Sequence, residues 1–250
     1  IEHQRHNSGM SAARRGTLKC VFRRTTIRAD RALQAKKIHT VMKILEQEVR
    51  RLGVPIVTEI SRRRRDPYGV LISTLLSLRT KDETTRKAAE RLLAKAPTPD
   101  RMLCLSEEEI RELIYPVGFY KTKATVLKET CRAIMKTHGG KVPDDLDTLL
   151  ELKGVGRKTA NLVVTLGYGK PGICVDTHVH RISNRLGYVR TKNPEETEFE
   201  LRKKLPPQYW IPINDYLVAY GQNICKPISP FCSRCRLAPH CDRVGVDRHR

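Results

Sequence analysis

The chain has 250 residues, with 48 Lys or Arg against 27 Asp or Glu and a formal charge of +21. Hydrophobic residues make up 39% and charged residues 30%, which excludes wholesale disorder and leaves enough chain for one large or two small domains. No apolar run approaches the roughly 18 residues that a membrane crossing needs, and the positive excess calls for a polyanionic partner, nucleic acid first and anionic lipid second.

The charge is uneven along the chain. Residues 1–65 hold 17 Lys or Arg and 5 Asp or Glu, a net of +12, so the remainder carries +9. Residues 1–37 contain Arg14-Arg15, Arg23-Arg24 and Lys36-Lys37 without an apolar period. They read as a flexible basic arm, with an organellar transit peptide as the alternative; no apolar core marks a secretory signal. From residue 38 the pattern is helical. Ile38, Val41, Leu45, Val49 and Leu52 repeat at helical spacing up to Gly53. The Arg62–Arg65 cluster reads as a solvated loop. Asp66-Pro67 then offers an N-cap with Pro at the first helical position, ahead of Leu71, Leu75 and Leu78. Asp82 opens the next helix and Pro97 stops it. Ser106 with Glu109 forms a capping box before Ile110, Leu113 and Ile114. Further helices are predicted near 121–138, 144–152, 157–167, 176–187, 194–204 and 212–224. No alternating strand pair or solenoid repeat is visible, so the expected fold is all-α.

Cys225, Cys232, Cys235 and Cys241 form a C-x6-C-x2-C-x5-C pattern in the tail. Four thiolates this close can enclose a metal centre. Structural zinc usually uses two C-x2-C pairs, and only one is present; unequal loops favour an iron–sulfur cubane, with disulfides third because no export signal is seen. Cys20, Cys104, Cys131 and Cys174 are scattered and read as packing residues.

A second signal is Leu152 to Ala160, reading LKGVGRKTA between two apolar helical stretches. Gly154, Val155 and Gly156 make a turn that can bring the backbone close to a ligand. The unpaired N–H groups that start the next helix, followed by Arg157 and Lys158, suit a DNA phosphate. Without a ligand the same residues are an ordinary helical hairpin. Lys158 either stays charged against phosphate or sheds its proton and becomes a nucleophile, which a helix N-terminus, Arg157 and partial burial favour. Asp176, within Val175-Asp176-Thr177-His178, is by spacing a helix cap. His178 and His180 read as surface or capping residues.

The hairpin, the V-D-T-H run and the four-cysteine tail, in this order over roughly residues 38–241, resemble the endonuclease III family. These are bifunctional DNA glycosylases of the helix-hairpin-helix superfamily. The resemblance implies a helical-barrel domain with the hairpin over residues 60–170 and an iron–sulfur domain built from 38–59 and 171–250. It implies Lys158 as the catalytic amine, Asp176 as its partner, and a [4Fe-4S] cluster on the four tail cysteines that helps dock DNA. Arg79, in Ser77 to Asp82, and Phe119, in Gly118-Phe119-Tyr120, correspond to the residues that open the duplex and fill the gap, although Phe119 could equally be core. Gly154 to Arg157 would bind the DNA backbone. Two departures stand out: Arg79 where bacterial relatives often carry Gln, and Lys153 where the hairpin often begins with Pro, which adds charge. The implied partner is double-stranded DNA with a damaged base or abasic site, met by a monomer in the cytoplasm or nucleoid, or in an organelle or nucleus if the arm is a targeting segment. The implied activity removes oxidised pyrimidines and cuts the strand through a lysine Schiff base. A monofunctional mismatch glycosylase and a non-catalytic, redox-sensing DNA-binding module are the alternatives; the first generally lacks a lysine at this position.

Overall fold

In the computed structural model the described residues are 37–250 apart from 54, 56, 60 and 62–65. The basic arm and the Arg62–Arg65 cluster therefore lie outside them. The chain divides into two compact units, residues 1–41 and 42–250. Of the first, residues 37–41 are described and are helical. The second begins with helical residues 42–52 (α1) and a helical turn at 57–59 (α2).

The helix α3 (Pro67–Ser77) is the hub of the larger unit, because its apolar residues do not confine themselves to one stripe. All nine residues from Tyr68 to Leu76 are buried. Such a helix must be surrounded, and α3 packs against α4 (Asp82–Lys95), α7 (Tyr120–His138), α9 (Arg157–Leu162) and the π-helical turn Val163–Gly167. Its start is fixed as the sequence predicts: Asp66 accepts from the backbone N–H of Tyr68 and Gly69 at 3.1 and 3.0 Å, and Pro67 takes the first helical position.

Around the hub, α5 (Pro99–Cys104) and α6 (Glu107–Ile114) pack on α7, and α8 (Leu146–Glu151) packs on α9. The predicted capping box starts α6, with Ser106 Oγ accepting from Glu109 N and Glu109 Oε2 accepting from Ser106 N. The apolar side chains of α3 to α9, from Val57 to Cys174, form one continuous core. Fully buried Leu71, Ile72, Leu76, Leu92, Ile110, Leu127 and Ile134 sit in it, each contributing about 1.5–3 kcal/mol by leaving water. A further set of buried apolar side chains belongs to α10 (Thr177–Arg185), α11 (Pro194–Lys204) and α12 (Pro212–Asn223), where α10 packs on both partners. The Cys tail follows as two short 3-10 turns, Cys232–Arg234 and Ala238–His240. The described residues contain no strand, and the all-α expectation holds.

Candidate active site

The stretch from Leu152 to Ala160 folds as a turn between α8 and α9, and its residues divide the work. Val155 is buried in the core and anchors the turn. Gly154 has φ +80, and a Cβ there would strike Val126 Cγ1 at 2.5 Å, so α7 presses directly on the hairpin. Thr130 Oγ1 of α7 donates to the Lys153 carbonyl at 3.0 Å, bolting the turn down. An added Cβ on Gly156 would meet nothing within 4 Å, which leaves this backbone open to a ligand. Gly156 caps α9 without any side-chain bond to the first-turn N–H groups. Lys153 adds the expected charge at the surface, where its ammonium also pairs with Glu129 of α7 at 2.9 Å.

Lys158, in the first turn of α9, keeps 37% of its side chain exposed. Its Nζ lies 3.6 Å from Asp176 Oδ2. Asp176 is the N-cap of α10, and its Oδ1 accepts from the N–H groups of His178 and Val179 at 2.8 and 3.0 Å. The two oxygens of one carboxylate thus have separate partners: Oδ1 holds the helix end and Oδ2 faces the amine. The cap foreseen from spacing and the partner implied by resemblance are the same side chain. Asp176 is almost fully buried, so its orientation is set by the cap, not by solvent. Lys158, Val175, Asp176 and Thr177 border a cavity of about 500 Å³.

Arg157 lies beside them, but its guanidinium turns inward. It donates to Glu198 of α11 through Nε at 3.0 Å and Nη2 at 2.9 Å, and stacks on Phe199 at 5.0 Å. Glu198 also receives Arg202 at 2.9 Å and is itself 2% exposed. The bond to Glu198 holds the Arg157 proton more firmly than in water. Glu198 escaped the sequence reading, although a signal existed: it shares the helical stripe of Leu201 and Leu205, where a charge needs a buried partner. Asn193 and Glu195, at the start of α11, line the same cavity.

His178 and His180 are neither surface nor capping residues. His178 Nδ1 lies 3.0 Å from Arg181 Nη2, which can only donate, so this nitrogen accepts. Burial, then the Arg181 and Lys158 charges, push the His178 imidazole below its ordinary value, with Asp176 acting against them. His180 Nδ1 meets Thr197 Oγ1 at 2.7 Å and ties α10 to α11.

Arg79 and Phe119 lie at the ends of α3 and α7, and both adopt left-handed backbone, with φ of 54 and 58. The Arg79 guanidinium sits 5.5 Å over the Phe119 ring. Phe119 is 63% exposed, which removes the core-packing reading.

The four tail cysteines are half-buried free thiols. Burial, followed by the charges of neighbouring tail thiols, raises the Cys232 and Cys241 thiols above their ordinary range. Among the described residues, no group of three or more His, Cys, Asp or Glu side chains is gathered as a metal-ion site. Donors nevertheless point at the sulfurs. The buried Arg185 donates to Cys225 Sγ at 3.4 Å and to the Lys226 and Pro227 carbonyls at 2.7 Å, while Tyr220 donates to Cys235 Sγ at 3.2 Å. Arg236 pairs with Glu48 of α1 at 3.1 Å, tying this tail to the first helix of the unit.

The hairpin, the amine–carboxylate pair and the helical setting define a helix-hairpin-helix protein. The chain belongs to the HhH-GPD superfamily of base excision DNA repair proteins, whose description matches residues 72–207. It is 50% identical over 177 residues to endonuclease III of Thermotoga maritima, covering 71% of this chain and 83% of that protein. It is 44% identical over 183 residues to endonuclease III homolog 1, chloroplastic, of Arabidopsis thaliana, covering 70% of this chain but 48% of the relative. The chain thus spans about half the length of that plant relative. Among solved structures, a trapped endonuclease III–DNA covalent intermediate aligns with a TM-score of 0.74 at 33% identity, over 83% of this chain and 95% of that one.

Proposed function

We propose that the chain is a base-excision DNA glycosylase with AP lyase activity, acting on double-stranded DNA that carries an oxidised pyrimidine, such as thymine glycol, or an abasic site. The Lys158–Asp176 pair at 3.6 Å carries this reading. A target base must leave the stack before its glycosidic carbon can be reached, and Phe119 with Arg79 takes its place. Lys158, as the neutral amine, attacks C1′; the glycosidic bond breaks, and its electron pair leaves with the base, which takes up a proton. The sugar ring opens to a Schiff base on Nζ. Loss of the C2′ proton then expels the 3′ phosphate by β-elimination, and water releases the lysine. Asp176 Oδ2 balances positive charge as the sugar gains oxocarbenium character and accepts the proton that Nζ sheds. The turn from Gly154 to Gly156 meets the phosphate backbone through main-chain N–H groups. A similar structure holds a covalent endonuclease III–DNA intermediate, which supports a covalent route here.

Cys225, Cys232, Cys235 and Cys241 would hold a [4Fe-4S] cluster. The donor set fits, since it offers four soft thiols with Arg185 and Tyr220 directed at sulfur to offset negative charge. Bound there, the cluster would cross-link the tail and help dock DNA. A brown protein containing iron is expected; a colourless one with stoichiometric zinc would refute the assignment. The continuous core from Val57 to Cys174 lies mostly within residues 60–170 and supports a barrel domain there, leaving 38–59 and 171–250 as the second domain. Action as a monomer on DNA in the cytoplasm or nucleoid fits this chemistry. Residence in an organelle is supported by the similarity to a chloroplastic relative. Among the described residues no helix is long and apolar enough to cross a membrane.

The deciding experiment is borohydride trapping on a thymine-glycol duplex. A covalent adduct is expected from the native chain and none from Lys158→Gln. Absence of an adduct with both damaged and abasic duplex would overturn the lyase reading.

A further inference from the structure

Arg79 and Phe119 come from loops 40 residues apart along the chain, yet the backbones of these loops touch. A Cβ added to Gly118 would lie 2.6 Å from the Arg79 carbonyl oxygen, so only glycine permits this approach. Gly118 N–H donates to Thr80 Oγ1 at 3.1 Å, joining one loop to the other. Both Arg79 and Phe119 hold a left-handed conformation without being glycine, which their side chains disfavour. Their surroundings must impose it.

The group that does so lies one turn into α7. Lys123 Nζ donates to the carbonyls of Leu76 and Leu78 at 2.7 and 2.6 Å and reaches Thr80 Oγ1 at 3.3 Å. Those carbonyls belong to the end of α3, where the helix leaves them without intrahelical partners and where a cation meets the negative end of the dipole. One ammonium therefore gathers the α3 terminus, the Arg79 loop and, through Thr80, the Phe119 loop. Burial pushes Lys123 down to about 8, while three acceptors favour its charged form. The three acceptors offset only part of the loss of water, and at neutral pH Lys123 still stands below its titration point as the charged donor.

We propose that Lys123 is a positioning residue that locks the loops around Arg79 and Phe119 into one rigid wedge for opening the duplex, without itself touching DNA. The inference rests on the glycosylase reading, because the wedge matters only if a base is flipped. A lysine that merely capped α3 would contribute to stability and affect every substrate alike.

Two substrates separate these roles. A thymine-glycol duplex requires the wedge; an abasic site in single-stranded DNA has no stack to open and no partner base to replace. Lys123→Met keeps the apolar stem and removes the donors, and Thr80→Val removes the acceptor for Gly118 with little change of shape. Each variant is expected to lose at least ~10-fold in kcat/KM on the duplex, as small misplacement of an aligned group does, with borohydride trapping on the single strand within about twofold of the native chain. Native rates on the duplex, or equal loss on both substrates, would overturn the proposal. If Lys123→Met fails to fold, Thr80→Val decides by the same criterion. A native chain that traps neither substrate overturns the glycosylase reading instead, and the wedge with it.

Discussion

The two oxygens of Asp176 make separable contributions, and two substitutions tell them apart. Asp176→Asn keeps an oxygen that can accept from His178 and Val179, but removes the charge facing Lys158. Asp176→Ala removes both. A unit charge pair at 3.6 Å is worth roughly 4–5 kcal/mol at an effective dielectric near 20. Because Lys158 is more than a third exposed, solvent screening reduces this to about 1–2 kcal/mol, still roughly tenfold in an equilibrium. Loss of the cap costs a further ~1 kcal/mol in Asp176→Ala, since Asn caps about as well as Asp and Ala does not. For a chain of this size that cap corresponds to a fall in Tm of about 2–4 °C. Single-turnover base release from a thymine-glycol duplex is expected to fall by ~100-fold or more in both variants. Trapping on a pre-formed abasic site falls less, because no oxocarbenium-like sugar has to form there. Thermal denaturation is expected to distinguish the variants, with Asp176→Asn below the native chain by the lost charge pair and Asp176→Ala lower again by the lost cap. Native base release by Asp176→Asn would refute the role of Oδ2. Equal Tm values for the two variants would refute the role of Oδ1.

Glu198→Gln leaves Arg157 and Arg202 facing an amide that is almost fully buried, so urea denaturation is expected to show a loss of about 3–5 kcal/mol. Phe119→Ala removes an exposed ring, which predicts a stability change within about 0.5 kcal/mol alongside weakened excision from duplex DNA. His178 holds its proton less readily in the fold than in the open chain. Between its depressed folded value and the ordinary value near ~6.5, the unfolded chain binds more protons. Stability is therefore lost as pH falls through that window. His178→Gln is expected to flatten the fall in Tm between neutral and mildly acid pH, and an unchanged slope would count against a buried neutral imidazole.

Much of the helical order was legible because its signals are local. The Asp66 cap, the Ser106–Glu109 box and the Pro194 start each involve atoms within four residues, and the helices begin there. The α5 helix was not foreseen: at six residues it is too short to show a period, and it starts two residues after the Pro97 that stops α4. The predicted helix over 157–167 divides into α9 and a π-helical turn, a change of hydrogen-bond register that apolar spacing does not encode. Sequence spacing also left Arg157 as a phosphate ligand in waiting. Only the approach of α11 showed that Glu198 occupies its guanidinium.

By itself the sequence determined the residue types that carry the chemistry: a lysine after a two-glycine turn, an aspartate before a helix, and four cysteines at uneven spacing. Those features depend on neighbours along the chain and on functional groups that no fold can supply later. Tertiary structure alone decided which groups meet. It set Asp176 Oδ2 against Lys158, paired Lys153 with Glu129, and closed two distant loops around Lys123. The reason is geometric: each of these contacts joins different helices, and their separation is fixed by how the buried faces of α3, α7 and α10 pack, not by distance along the chain.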